Sequence, residues 1–322
     1  MHKQLEFQPL PLFACPHRQT IGGSLFHFDK QPVSITHPIP LPDGDKITIE
    51  ITTPVGWKQT DRTVLLVHGL AGCHDSVYLI RLVNRLEPQG IRCIRFNMRG
   101  CGSGKGLAQK IYHSGSSDDL HEALKYIHAQ TPDSPTLLVA FSLGANVSLK
   151  LSGELGCLGS KYLKGVVAIS PPADISPCID LANQALNGFY ERHFCNILKT
   201  CIAEIHKTFD LPPFEFPENL TFREFDRIYK IPKCGFKSAD HYYQTCSAKM
   251  YVSKIGIPCR ILFAEDDPLI AHTCLDSCNL PSNVELYKTK MGGHIGFLGD
   301  IRHERGFRWL DSLLEDWIKE LL

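Results

Sequence analysis

The stretch Thr136-Leu137-Leu138-Val139-Ala140-Phe141-Ser142-Leu143-Gly144-Ala145-Asn146 decides the fold. Residues 136–141 form a nearly unbroken apolar run of strand length, as expected for a strand buried on both faces. From Leu143 to Leu155 the apolar residues recur at helical spacing. Ser142 is left on the turn between strand and helix. This is the G-x-S-x-G nucleophile elbow with Ala140 in place of the first glycine. Small residues are needed two positions either side of the serine, because backbone and helix approach there. Ala140 adds one methyl group, so the turn is expected to survive. The competing reading is an ordinary serine before a helix.

Outward from this segment, strand-like and helix-like stretches alternate. Residues 46–53 alternate apolar and polar, a half-buried strand, and residues 63–68 are a second buried strand. Residues 77–86 read as a helix ended by Pro88 and Gly90, residues 91–96 as a strand, and residues 118–129 as a helix. Residues 165–170 are another strand. The alternation predicts an α/β fold, a mostly parallel central sheet flanked by helices. It lapses over residues 171–250, where helix-like stretches (179–189 and 193–209), a Pro-rich break (211–217) and an aromatic-rich segment (222–229) replace strands. Strands resume at 259–264 and 284–287, and an amphipathic helix over 304–322 closes the chain. About 80 residues between two core strands exceed an ordinary connection. They are expected to form a helical cap over the carboxyl edge of the sheet, inserted into one domain spanning residues 1–322.

Composition excludes several classes. The 322 residues carry 34 Lys+Arg against 34 Asp+Glu, and 43% are hydrophobic. There is enough apolar material for a core, so disorder is excluded. No basic surplus or Lys/Arg block suggests nucleic acid. No run of 18–20 apolar residues suggests a transmembrane helix. The 13 cysteines are odd in number and scattered, no C-x-x-C pair occurs, and residues 1–10 lack the apolar core of a secretory signal. A reduced, cytoplasmic protein is expected. His272, Cys274 and Cys278 are the nearest approach to a metal cluster, but no second ligand pair accompanies them, so no metal is expected.

A nucleophilic serine needs a base and an acid that orients it. Downstream, Asp266-Asp267-Pro268 follows a strand, and Gly292-Gly293-His294 follows the last strand. Ser142, Asp267 and His294 are the expected triad. Asp266 stays the alternative acid, since Asp267 is preferred only for lying one residue further into the loop. Taken singly, either aspartate could cap a helix starting at Pro268, and His294 could be an ordinary loop histidine. Two backbone N–H donors should hold the oxyanion: Leu143, after the nucleophile, and Leu70, in the loop His68-Gly69-Leu70-Ala71-Gly72. His68 is expected to shape this loop rather than titrate in catalysis. The loop Arg99-Gly100-Cys101-Gly102-Ser103-Gly104 lacks the context of either phosphate-binding glycine motif, so no nucleotide cofactor is expected.

Further segments extend the pattern along nearly the whole chain: Pro16-His17-Arg18-Gln19-Thr20-Ile21, Asp43-Gly44-Asp45, Phe96-Asn97-Met98-Arg99-Gly100-Cys101, Tyr112-His113-Ser114-Gly115, Asp240-His241-Tyr242-Tyr243 and Gly292-Gly293-His294-Ile295-Gly296-Phe297. With the elbow and Asp266-Asp267-Pro268, they resemble the YheT-type α/β hydrolases. That group includes bacterial hydrolases, yeast medium-chain fatty acid ethyl ester synthase/esterases and mammalian lipid enzymes. Ala140 and Ala145 depart from its usual glycines, and Cys15 from its usual asparagine. The resemblance implies the α/β-hydrolase fold, the triad Ser142, Asp267 and His294, and hydrolysis of carboxylic esters with medium-chain or lipid acyl groups. The expected partner is a small ester with an acyl chain, with no cofactor. An acyltransferase sharing the acyl-enzyme step is one alternative, and a non-catalytic binding protein of the same fold is another. The cap aromatics Phe189, Tyr190, Phe194, Phe209, Phe214, Phe216, Phe222, Phe225 and Tyr229 could line an acyl pocket, though most are expected to form the cap's own core. The terminal helix allows a peripheral membrane contact, with packing into the core the expected alternative.

Overall fold

The computed structural model describes residues 2–25 and 29–322. The strands are β1 (Lys3–Gln4), β2 (Ile35–Pro40), β3 (Lys46–Thr52), β4 (Thr63–Val67), β5 (Arg92–Asn97), β6 (Thr136–Phe141), β7 (Gly165–Ile169), β8 (Cys259–Ala264) and β9 (Val284–Thr289). The longer helices are α1 (Pro16–Leu25), α2 (Val77–Leu86), α3 (Ser117–Gln130), α4 (Leu143–Leu155), α5 (Ile175–Gln184) and α6 (Phe189–Thr208). After them come the short α7 (Phe222–Phe225) and α8 (Ile231–Cys234), then α9 (Ala239–Cys246) and α10 (Trp309–Leu321).

The strands form one sheet in the order β1-β9-β8-β7-β6-β4-β5-β3-β2. It is parallel except where β3 pairs with β2 and β5. Leu65, Leu138, Val166 and Ile261 face one apolar layer, while Val64, Leu66, Val139 and Leu262 face the other. Both faces of the central strands are therefore covered, which is why these strands read as continuous apolar runs. β4 lies between β5 and β6, so chain order reverses there. Open α/β sheets bind ligands at the carboxyl ends of strands beside such a reversal.

Several expected boundaries shift. β2 and β1 were not expected: Ile35–Pro40 carries two prolines, tolerable because β2 is an edge strand. α1 was not expected either, since its Gly22-Gly23 pair hides the helical signal. The stretch read as a helix over 179–189 is α5, which ends at Gln184. Leu186 and Asn187 then take positive φ angles of 48° and 52° before α6 begins. The terminal helix starts at Trp309 rather than residue 304, because Gly306 turns the chain at φ 63°. No helix begins at Pro268. Asp267 Oδ1 instead accepts the Leu269 and Ile270 N–H groups at 2.8 and 3.0 Å in a turn.

α10 is bound to the body of the fold. Trp309 is buried and stacks on Phe297, with centroids 5.6 Å apart. Arg81 of α2 grips Asp311 through two hydrogen bonds of 2.7 and 3.1 Å, both side chains being buried. Its apolar face is thus spent on the core.

Candidate active site

Ser142 sits where β6 turns into α4, with φ 50° and ψ −123°. A non-glycine residue rarely adopts this conformation, and it persists only where the surroundings over-determine it. Two contacts do so. The Ser142 N–H donates to Ile169 O at 2.8 Å, and Asn146 N–H donates back to Ser142 O at 3.1 Å. A side chain at Gly144 would place its Cβ 2.3 Å from His68 O, so only glycine allows α4 to approach the β4 loop this closely. Ala140, by contrast, fits without residual exposure.

The distant candidates meet here. His294 Nε2 lies 3.0 Å from Ser142 Oγ, and His294 Nδ1 lies 2.8 Å from Asp267 Oδ2. A carboxylate can only accept, so Nδ1 carries the proton and Nε2 accepts from the serine hydroxyl. Asp267 is buried, and its other oxygen is held by the Leu269 and Ile270 amides, which fixes the carboxylate. The alternative acid has another place. Asp266 Oδ1 accepts the Gly293 N–H at 2.9 Å and so supports the histidine loop, while burial raises its pKa.

The loop after β4 approaches the serine closely. A Cβ built on Gly69 would lie 3.0 Å from Ser142 Cβ. Its neighbouring amides are engaged: Gly69 N–H donates to the Tyr78 hydroxyl, and Ala71 N–H to the Tyr112 hydroxyl, each at 2.9 Å. Leu70 N–H lies between them and, like Leu143 N–H, donates to no other group among the described residues. Both residues line the pocket beside Ser142. His68 is buried, with Nδ1 2.7 Å from Gly69 O and Nε2 accepting the Met98 N–H at 3.2 Å. Burial lowers its pKa to about 4. It is a neutral strut of the loop.

Sequence reasoning gave no role to the segment Gln19-Thr20, which α1 carries against the histidine loop. Thr20 Oγ1 accepts the His294 N–H at 2.9 Å. The fully buried Gln19 pairs with both backbone groups of Leu298, accepting its N–H at 2.7 Å and donating to its C=O at 3.0 Å. A Cβ on Gly296 would fall 2.2 Å from Gln19 O, so glycine is what permits this contact. The available signal was that residues 16–21 and 292–297 both carry the family resemblance, one segment near each end of the chain.

The other candidates separate. Cys274 Sγ lies 3.9 Å from Pro171 O and Cys278 Sγ 3.8 Å from Lys249 O, while His272 Nδ1 is unpartnered. Among the described residues, the cluster with metal-ligand spacing is instead Cys73, His74 and Asp75, whose His74 is held by Asn97 Oδ1 at 3.1 Å. Arg99 of the glycine-rich loop is committed to Asp119, through two bonds of 2.7 Å, and to Asp43 and Asp45. All thirteen cysteines are free thiols. No helix among the described residues is long and apolar enough to cross a membrane.

Ser142 and His294 open into a cavity of about 560 Å³. Its walls are largely apolar, drawn from α5, α6 and the segment around Phe222 as well as from the sheet loops.

Comparison with known proteins agrees with this architecture. The family model described as the alpha/beta hydrolase fold matches residues 62–193. The chain is 29% identical to YheT of Escherichia coli (strain K12), an esterase by provisional name, over 98% of this chain and 94% of that one. The chain has the α/β-hydrolase fold. It is similar to YheT along nearly its whole length, and it is a carboxylic ester hydrolase. It is also 26% identical to phospholipase ABHD3 of Mus musculus, covering 82% of this chain and 64% of that longer one. The solved Pyrococcus furiosus esterase Pf2001 superposes with a TM-score of 0.55 at 17% identity, covering 90% of each chain, a likeness of fold.

Proposed function

We propose that this α/β hydrolase cleaves carboxylic esters bearing medium-chain or lipid acyl groups, with Ser142, His294 and Asp267 as its triad. The observation that carries the reading is the unbroken chain of hydrogen bonds from Ser142 Oγ through His294 to Asp267, opening into an apolar cavity. Ser142 Oγ attacks the ester carbonyl while His294 Nε2 takes its proton. The imidazolium that forms is stabilised by Asp267. The carbonyl oxygen becomes an oxyanion facing the Leu70 and Leu143 amides. Collapse of the tetrahedral intermediate breaks the C–O bond, and His294 returns the proton to the departing alcohol. Water then attacks the acyl-serine, with His294 again as base, and releases the acid. The helical segment over residues 171–250 acts as the cap, since α5 and α6 contribute the apolar wall against which an acyl chain would lie. The neutral overall charge and apolar lining suit an uncharged ester.

The test is labelling with a fluorophosphonate probe alongside hydrolysis of a p-nitrophenyl ester series of increasing acyl length. Wild-type protein is expected to be labelled on Ser142, and Ser142→Ala to lose both labelling and turnover while keeping its melting temperature. Folded wild-type protein that fails to label would overturn the proposal.

A further inference from the structure

The mechanism above leaves one charged pair in the pocket wall unused. Asp226 and Lys230 line the same cavity as Ser142. They occupy the two ends of a π-helical turn, Asp226–Lys230, between α7 and α8. Pro232 explains the turn: it has no N–H to offer the carbonyl one helical turn earlier, so the backbone can widen. Such turns often accompany functional sites.

Lys230 Nζ lies 2.6 Å from Asp226 Oδ1, and its side chain keeps only 12% of its surface exposed. Asp226 is buried, and its other oxygen accepts the Tyr243 hydroxyl at 3.1 Å. The ammonium stands 5.2 Å from the Phe225 ring centroid and 5.4 Å from that of Tyr242. Burial pushes against its charge, yet Asp226 and Tyr242 outweigh this and hold the pKa above the ordinary lysine value. An ammonium carries three donors. Asp226 and Tyr242 occupy two at most, so at least one remains for an occupant of the pocket.

Most of the remaining wall cannot accept a hydrogen bond. Ile175, Ile179, Phe194, Ile197, Leu198 and Phe222 present hydrocarbon. A purely hydrocarbon substrate filling this pocket would displace water from the free ammonium donor and give nothing in return. A substrate with a suitably placed oxygen would satisfy it. A site holding a buried donor discriminates strongly against the analogue lacking the partner. The local charge balance narrows the partner further. Lys230 and Asp226 sum to zero, and neighbouring His113 is kept neutral, since burial lowers its pKa to about 3. No surplus positive charge awaits a full anion.

We propose that Lys230, held by Asp226, is a specificity-determining residue that donates a hydrogen bond to an uncharged oxygen of the substrate, such as a hydroxyl, an ether or a second ester carbonyl remote from the scissile bond. The proposal deepens the ester-hydrolase reading and rests on it. It makes the natural substrate an oxygen-bearing ester rather than a simple alkyl ester.

The test compares kcat/KM for matched esters in two series. One places a terminal hydroxyl, methyl or carboxylate on the acyl chain of p-nitrophenyl esters. The other keeps the acyl group and exchanges butanol for a butanediol or glycerol. In at least one series, wild-type protein should favour the hydroxyl member over the methyl member by about 10- to 100-fold, and the carboxylate should gain no comparable advantage. In Lys230→Met/Asp226→Asn, which keeps the turn neutral, and in Lys230→Met, neither of which leaves a donor at position 230, the ratio should fall toward one. Equal rates for hydroxyl and methyl members in both wild-type series would overturn the proposal without help from any variant. So would a ratio that survives in either folded variant, or a carboxylate preferred over the hydroxyl. Fluorophosphonate labelling of wild-type Ser142 in the same preparation reports the triad separately, so an unselective but labelled enzyme refutes the subsite alone.

Discussion

Replacing Thr20 by valine removes one hydroxyl and keeps the shape of the side chain. In the native structure this hydroxyl donates to Pro16 O at 2.8 Å and accepts the His294 N–H at 2.9 Å. The variant leaves that amide without its partner at the backbone of the proposed base. An unsatisfied buried amide costs about 1–3 kcal/mol. Thr20 is only partly buried and borders the pocket, so water recovers part of this, leaving about 1–2 kcal/mol. The loop carrying His294 is already under tension, with Ile295 at φ 60° and Phe297 at φ 42°. A lost tether there shifts the imidazole relative to Ser142 before it unfolds anything. At 1.36 kcal/mol per factor of ten, the expected loss in kcat/KM is roughly 5- to 30-fold, chiefly in kcat. Steady-state hydrolysis of p-nitrophenyl butyrate measures it, and the rate of fluorophosphonate labelling should slow in parallel. The melting temperature should fall by no more than about 4 °C. Thr20→Ser, which keeps both hydrogen bonds, should recover most of the rate. A valine variant within twofold of wild type would refute a positioning role for α1. Equal loss in the serine and valine variants would show that packing of the methyl matters instead of the hydrogen bond.

Other consequences follow from the same geometry. Gly144→Ala forces a Cβ to within 2.3 Å of His68 O and should destabilise the fold by about 3 kcal/mol in urea unfolding, with labelling of Ser142 strongly reduced. Asp311→Ala strands the buried Arg81 charge and should cost about 3–5 kcal/mol, seen as a lowered unfolding midpoint with the m-value unchanged. Stability should also fall on mild acidification. Burial holds His68 at about 4 and His113 at about 3, whereas both titrate near 6.5 when unfolded, so the unfolded chain binds more protons below that value. Their contribution is complete above about pH 6.5 and declines below it, by up to about 5 kcal/mol at about pH 4.5. An unfolding free energy that stays flat between those pH values would contradict neutral, buried histidines.

Much of the architecture could be read from local chemistry. The apolar runs at residues 63–67, 136–141 and 165–169 had to be strands buried on both faces, because nothing polar interrupts them over strand length. The serine between such a strand and a helix, with a glycine two residues on, named its own turn. The order of serine, aspartate and histidine then pointed to Ser142, His294 and the pair Asp266-Asp267 without coordinates. Elements whose signal is weak alone were hidden. α1 contains paired glycines that make sense only against distant partners, Gly23 against Gly296 and Gly22 against Phe13 and Leu298, and β2 contains prolines that only an edge position tolerates.

The sequence by itself determined the residue types of the candidate site and the alternation of strand and helix. Local chemistry suffices for these, because periodicity and turn preference act over a few residues. The tertiary structure decided which of two adjacent aspartates reaches His294. It did so by turning Asp266 toward Gly293 N–H and Asp267 toward the imidazole, a choice that one residue of spacing cannot make. It also decided that Arg99 is spent on three aspartates, that Gln19 and Thr20 hold the histidine loop from the far end of the chain, and that Lys230 borders the serine's pocket. Each of these depends on contacts between segments separated by tens to hundreds of residues. Only folding brings such partners within hydrogen-bond distance.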